Sequence, residues 1–354
     1  MLLAADPSTL QIVWFALIAV LWIGYLILEG FDYGVGMLIP VLGRSEKERR
    51  VIVNTIGPLW DGNEVWLLTA GGAMFAAFPG WYATLFSGLY LPLFLILVGL
   101  IIRGVAFEYR AKHPEASWRH RFDTMAATGS LIVPLVFGVG FGNFIIGMPV
   151  GLAEGSESLY VYTGGFWHLF SPFALLTGVC LVALFLFHGA NFLALKTRGS
   201  VHDNAVRFAT RAGLVSIGLG AIFVLWSNLA YPVALSPALG WLLGGVAAVG
   251  LVGSWLAIRA RRDGWAFVAT TAAILAVAVW IFARMWPNLG FDNTAVAVPL
   301  DRVTAASTDM TLTIMTWAAA IFVPVVLAYQ AWTIWIFRKR ISTKNIPDEV
   351  TVAA

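Results

Sequence analysis

Four carboxylates lie in or beside apolar sequence. Glu29 and Asp32 fall late in one apolar run, three residues apart, which places them on one helical face. Asp61 and Glu64 repeat that spacing at the start of the next run, within Trp60-Asp-Gly-Asn-Glu-Val-Trp66. Arg103 and Glu108 stand near the end of the third run, and Asp123 opens the fourth. Partly dehydrated acids of this kind can pass protons among themselves and water. Two other readings use the same residues. Arg103 can neutralise one acid so that the cluster only staples helices, or the acids with Asn63 can hold a cation. Spacing shows no all-oxygen cage, which leaves the cation reading weakest. The proton reading leads, because four acids at one depth are costly for a staple.

The elements that must position these residues are membrane spans. Of 354 residues, 60% are hydrophobic and 12% charged, about half the charge density of a soluble domain. Apolar runs long enough to span recur along the chain, and no polar stretch is long enough to fold alone. Nine spans can be drawn, at 10–41, 56–78, 81–103, 123–148, 164–195, 207–230, 239–258, 264–284 and 307–337. Asp6 reads as the cap of the first and Pro7 as its first helical residue; no basic stretch precedes it, as a signal peptide would need.

Alternating spans put the segments 44–50, 103–121, 196–211, 259–262 and 338–344 on one side, and these carry twenty of the 22 basic residues. Only Arg284 and Arg302 fall on the other. The positive-inside rule then places the N-terminus outside and the C-terminus in the cytoplasm, and it supports an odd count. The net charge of +3 therefore reports topology and no nucleic-acid partner. With this topology Glu29, Asp32, Asp61 and Glu64 fall in the cytoplasmic half. They converge with Arg103 at one depth if short loops make these helices neighbours.

Cys180 is the only cysteine and sits in an apolar run, so neither an internal disulfide nor a cysteine metal site is available. His113, His120 and His202 fall in loops on the basic side. His168 and His188 lie at opposite ends of the fifth span, about 30 Å apart along a helix, and cannot share one haem. Capping or pairing is the first reading for each, with a single-histidine haem as the alternative. Gly138-Val-Gly-Phe-Gly142 fits close helix approach, ahead of a hinge at Pro134. Glu29-Gly-Phe-Asp32 and Phe187-His-Gly-Ala-Asn191 form a weak repeat with an offset of 159 residues, which divides the chain into two four-helix halves and a ninth helix; coincidence is the competing explanation.

Several blocks resemble subunit II of cytochrome bd-type quinol oxidases. They are Glu29-Gly-Phe-Asp-Tyr-Gly-Val-Gly-Met37, the basic loop from Gly43 to Arg50, and Pro58-Leu-Trp-Asp-Gly-Asn-Glu-Val-Trp66. Leu68 to Phe78, Arg103-Gly-Val-Ala-Phe-Glu-Tyr-Arg110 and Phe122-Asp-Thr124 follow in the same order. The dense match covers roughly 20–145, with looser agreement at Gly164-Gly-Phe-Trp167 and His188-Gly-Ala-Asn191.

The resemblance implies a complex that reduces dioxygen to water with electrons from membrane quinol. It implies haem b and haem d in a partner subunit I and none ligated by this chain, a structural quinone as an optional guest, and a small single-span subunit as an optional third partner. The fold implied is all-α: nine transmembrane helices, as two pseudo-symmetric four-helix bundles plus one. Residues 1–160 would form the first half with the acids, 161–290 the second, and 291–354 the ninth helix and tail. By the same resemblance Asp61 matches an acid of a cytoplasmic proton route, with Trp60 beside it, and Asp32 and Asp123 match acids linked to haem assembly or function. Glu29 stands where some relatives carry Asp, and Glu64 where some carry Gln. The competing class is a proton- or cation-coupled secondary transporter using the same acids.

Overall fold

A backbone in lipid has no water to bond with, so apolar runs of this length can only close their hydrogen bonds internally as helices. The computed structural model describes residues 8–156 and 158–347. Its helices are α1 (Thr9–Leu42), α2 (Glu46–Ile56), α3 (Trp60–Ala77), α4 (Pro79–Gly88), α5 (Tyr90–Tyr109) and α6 (Ala116–Ile146). They continue with α7 (Pro172–Lys196), α8 (Ser200–Ala230), α9 (Pro237–Arg259), α10 (Asp263–Met285) and α11 (Asp309–Ile336). Asp6 and Pro7 lie outside the described residues; α1 is capped by Ser8, whose hydroxyl accepts from the Gln11 amide.

Eight of these helices are long and apolar enough to cross a membrane: α1 and α5 to α11. The second of the nine drawn segments is the exception. It folds as α3, only 18 residues long and carrying Asp61, Asn63 and Glu64 in its first turns. The third drawn segment is two helices, because the chain breaks at Leu89 between α4 and α5. The fifth begins at Pro172 and not at 164. A 3-10 helix, Phe166–Phe170, precedes it and carries His168, so His168 is not part of α7. Ser171 caps α7 with Pro172 at its first position, a start signal that outweighs the apolar residues before it.

Two elements lie outside the drawn spans, and only the second is not helical. The first basic loop contains α2, nucleated by the Ser45–Glu48 capping box. A small sheet of order β2-β1-β3 is built from β1 (Met148–Leu152), β2 (Tyr160–Tyr162) and β3 (Phe291–Asp292). It joins the α6–α7 and α10–α11 connections at the end remote from the basic loops.

All five basic segments meet on one face. Arg110 binds Glu46 and Asp123, Ser200 Oγ donates to Glu48, and Arg261 pairs with Asp203. Arg340 pairs with Asp263, and Ile341 bridges Thr197, so the segment after α11 ties the ends of α7 and α10 together. Lys196 Nζ donates to the Phe337 carbonyl at the end of α11. At the opposite end the Gly80 amide donates to Ala305 and the Ser307 amide to Ala77.

Small residues set the helix crossings. A side chain at Gly34 would collide with the Phe185 carbonyl, and one at Gly189 would lie 2.6 Å from the Gly34 backbone, so α1 and α7 touch main chain to main chain. Gly138 faces Gly178, and Gly142 faces Ala174, across α6 and α7. The helix-approach reading of that glycine run holds for these two positions, while Gly140 meets nothing within 4 Å. Gly189→Val should force α1 and α7 apart and cost at least the about 1–3 kcal/mol of an overpacked core. Gly71→Ala, where an added methyl also meets nothing within 4 Å, should leave melting unchanged. Thermal unfolding followed by size-exclusion chromatography in detergent compares the two.

Candidate functional site

The crossing of α5 with α6 brings Arg103 inward. Gly129 lets the α5 backbone approach, and a side chain there would lie 3.0 Å from the Arg103 Cβ. Arg103 is fully buried, as is Glu29 on α1. Its Nη1 donates to Glu29 Oε1 at 2.6 Å and its Nη2 to Oε2 at 3.0 Å, a bidentate pair. Glu64 on α3 lies 3.6 Å from the same guanidinium and keeps 23% of its side chain exposed. Aromatic rings enclose the charge: Tyr33 lies 4.6 Å from the guanidinium carbon, Phe107 5.3 Å and Trp60 5.8 Å.

One turn along α1, Asp32 is also fully buried. Its Oδ2 accepts from the Asn63 amide at 2.7 Å, and Asn63 Oδ1 accepts from Gln330 Nε2 at 2.8 Å. Asp32 Oδ1 and Arg103 Nε are buried with no partner. A tyrosine pair, Tyr25 and Tyr33, joins its hydroxyls at 2.5 Å beside this group. Polar atoms from α1, α3, α5 and α11 thus gather on the basic side of the bundle, within about two turns of the helix ends on α3, α5 and α11 and about three to four on α1.

Three of the four expected acids are brought together here, Glu29, Asp32 and Glu64. Asp61 is on the same turn of α3 but on its exposed side. Asp123 belongs to a different cluster. It is buried, takes Arg110 Nε at 2.5 Å, and lies 3.6 Å from Arg49, while Arg110 also holds Glu46 at 2.9 Å. Glu108 is exposed. Sequence reading missed Gln330, Tyr25 and Tyr33. Gln330 had a signal, being a lone amide in the apolar run of α11; the tyrosines had none beyond their burial.

The histidine on α7 is a pairing residue. His188 is buried, stacked 4.6 Å from Phe267, with Nε2 3.2 Å from the Ile27 carbonyl and Nδ1 2.8 Å from Thr270 Oγ1. A carbonyl only accepts, so Nε2 carries the proton and Nδ1 faces the hydroxyl. Haem ligation by His188 would break a buried hydrogen bond at either nitrogen. Among the described residues no group of three or more His, Cys, Asp or Glu is arranged to hold a metal ion; Arg103 supplies the positive charge at the acids instead.

Chemically, the site sets a fixed ion pair beside two further carboxyl groups, Asp32 with one oxygen buried and unpartnered and Glu64 partly exposed. Removing one member of a buried pair strands the other. Arg103→Met should therefore cost about 3–5 kcal/mol, and the double change Glu29→Gln with Arg103→Met should cost clearly less than the two singles summed. Thermal melting of the purified protein and its three variants measures the difference.

A family model described as cytochrome bd terminal oxidase subunit II matches residues 10–337. The chain is 38% identical to cytochrome bd-I ubiquinol oxidase subunit 2 of Escherichia coli (strain K12), over 96% of this chain and 97% of that one. It is 37% identical to cytochrome bd ubiquinol oxidase subunit 2 of Bacillus subtilis (strain 168), over 96% and 98%. A solved bd oxidase structure from Geobacillus thermodenitrificans shares the fold, with a TM-score of 0.71 at 17% identity over 93% of this chain and 99% of that one.

Proposed function

The chain belongs to the cytochrome bd terminal oxidase subunit II family, and we propose that it is the haem-free subunit of a quinol-oxidising, dioxygen-reducing membrane complex. In this reading haem b and haem d sit in subunit I, where they supply the electron transfer and oxygen chemistry. This chain stabilises that subunit and brings protons to it. A small single-span subunit, membrane quinol and lipids complete the surroundings.

The topology proposed is nine spans with the C-terminus in the cytoplasm, the short α3 joining the eight longer helices to make that number. Its Asn63 end meets Gln330 and its Ala77 end meets Ser307, so it runs antiparallel to α11 over the depth of the bundle. The basic face is then cytoplasmic. The two-bundle division draws support from the repeat. Glu29 and Asp32 on α1 answer to His188 and Asn191 on α7, and the two helices cross at Gly34 and Gly189. An apolar cavity of about 400 Å3 among α7, α8, α9 and α10, lined by Leu184, Val224, Leu251 and Ile274, has the character that a structural quinone requires.

The observation that carries the function is a buried acid cluster close to the basic face with one acid turned outward. Asp61 is exposed at the start of α3, so in a membrane its carboxyl must meet water or a partner's polar groups. Protons taken up at the cytoplasmic face pass by Glu64 and Asp32, with Glu29 held to Arg103 as the fixed charge, and leave through Asp61 toward subunit I. Trp60 and Asn63 hold Arg103 and Asp32 in place, and Asp123 locks α6 to the basic face. Transporters built from repeats typically form their site from broken spans in matching positions of both halves, whereas α1 and α7 are each one continuous helix and the acids of α1 have His188 and Asn191 at the matching positions of α7.

Asp61→Asn should lower quinol oxidase turnover by roughly ten- to hundredfold with haem content near wild type. Unchanged turnover would remove Asp61 from the route, and loss of haem d would make it an assembly residue. The complex itself is tested by purification from the native membrane. A co-purifying subunit with the red-shifted absorption of haem d is expected; a colourless chain that moves a solute would sink the oxidase reading.

A further inference from the structure

The end of the molecule remote from the basic face holds a cleft of about 370 Å3 that the proton route does not use. It lies where α6 and α10 end, and the turn 286–294 closes it. Its lining combines apolar Phe144, Ile146 and Phe291 with two charged residues, Arg284 and Asp292.

Arg284 is one of only two basic residues away from the basic face. Its Nε is buried with no hydrogen-bond partner, and among the described residues no acid pairs with it. A guanidinium in this state at a membrane boundary lacks its anion. Asp292 is held in place by strand pairing with Pro149, and its Oδ1 accepts from the Thr294 amide at 3.0 Å. Its other oxygen is left for a ligand.

The cleft is preformed. Leu289 and Gly290 adopt left-handed φ values of 56° and 85°, and Gly147 one of 104°, which together shape the wall. Trp286 is fixed between Phe15, 5.2 Å away, and the Arg302 guanidinium, 4.8 Å from its ring. A simple anion would be attracted by Arg284 but repelled by Asp292. A ligand carrying both charges satisfies both residues, and the apolar lining requires that it continue into hydrocarbon.

We propose that this cleft binds the headgroup of a zwitterionic phospholipid bearing a primary ammonium, with phosphate on Arg284, ammonium on Asp292 and acyl chain along Phe144 and Ile146. The site is independent of the proton route, so either can fail alone. The test uses the protein with whatever subunits accompany it from the native membrane. It is placed in nanodiscs of equimolar phosphatidylethanolamine and phosphatidylglycerol, and native mass spectrometry reads the retained lipid. Wild type should enrich phosphatidylethanolamine. Arg284→Gln should lower its retention about fivefold, the weight of one basic residue against a lipid phosphate, and Arg284→Lys should restore part of it. Asp292→Asn should keep a lipid but lose the preference for the ammonium head. Melting temperatures of the variants within a few degrees of wild type confirm that they fold. Wild-type retention in Arg284→Gln would overturn the proposal. So would displacement of the lipid by inorganic phosphate, which would make the cleft a free-anion site. A wild type that retains no lipid would point to a cleft closed by another subunit, and the proposal would fall.

Discussion

The Glu29–Arg103 pair is the constraint around which the first four long segments are arranged. Two fully buried charges at membrane depth are tolerable only with good geometry, and their bidentate contact at 2.6 and 3.0 Å provides it. To bring them together, α5 must lie against α6 through Gly129, and α1 must pass Arg103 on its Glu29 face. The rings of Tyr33, Phe107 and Trp60 then exclude water from the guanidinium. A well-packed hydrophobic pair would stabilise these helices as well or better. Glu64 adds a second carboxylate 3.6 Å from the same guanidinium, and its side chain is partly open.

Helix α7 gives the comparison. At positions 159 residues on from Glu29 and Asp32 it carries His188 and Asn191, which hydrogen-bond to Thr270, Ile27 and Ser254. The same helix crossing thus holds charge on one side and only dipoles on the other. Burial is equal on the two sides, since Glu29, Asp32, His188 and Asn191 are all fully enclosed. The difference is one of chemistry: carboxylates on α1 and an imidazole with an amide on α7.

The ends of the helices are held by different forces. On the basic face, ion pairs and the segment after α11 bind α2, α6, α7 and α10 together, so the residues that report topology also build structure. On the opposite face a small sheet and backbone hydrogen bonds do this work, with two arginines, Arg284 and Arg302, that pair with no acid among the described residues. α11 is buried only at Leu312 and is tied to the rest at its ends, through Trp14 and Gln330.

The amino-acid sequence by itself marked out nine apolar spans, eight of which fold as helices long and apolar enough to cross a membrane, along with the grouping of the basic residues and the acids worth watching. These follow from local composition and from the cost of charge in lipid, which need no knowledge of packing. It also carried the family, because the blocks around Glu29, Asp61 and Arg103 are dense enough to be recognised. Only the tertiary structure decided which acids meet. Asp61 and Glu64 are one turn apart and look equivalent in sequence, yet the orientation of α3 turns Glu64 toward Arg103 and Asp61 outward. Asp123 joined Arg110 and not the acid cluster for the same kind of reason. Gln330 lies 267 residues from the Asn63 it bonds. A contact of that range depends on how helices rotate and cross, and glycine approaches such as Gly34 with Gly189 set that rotation across the whole bundle.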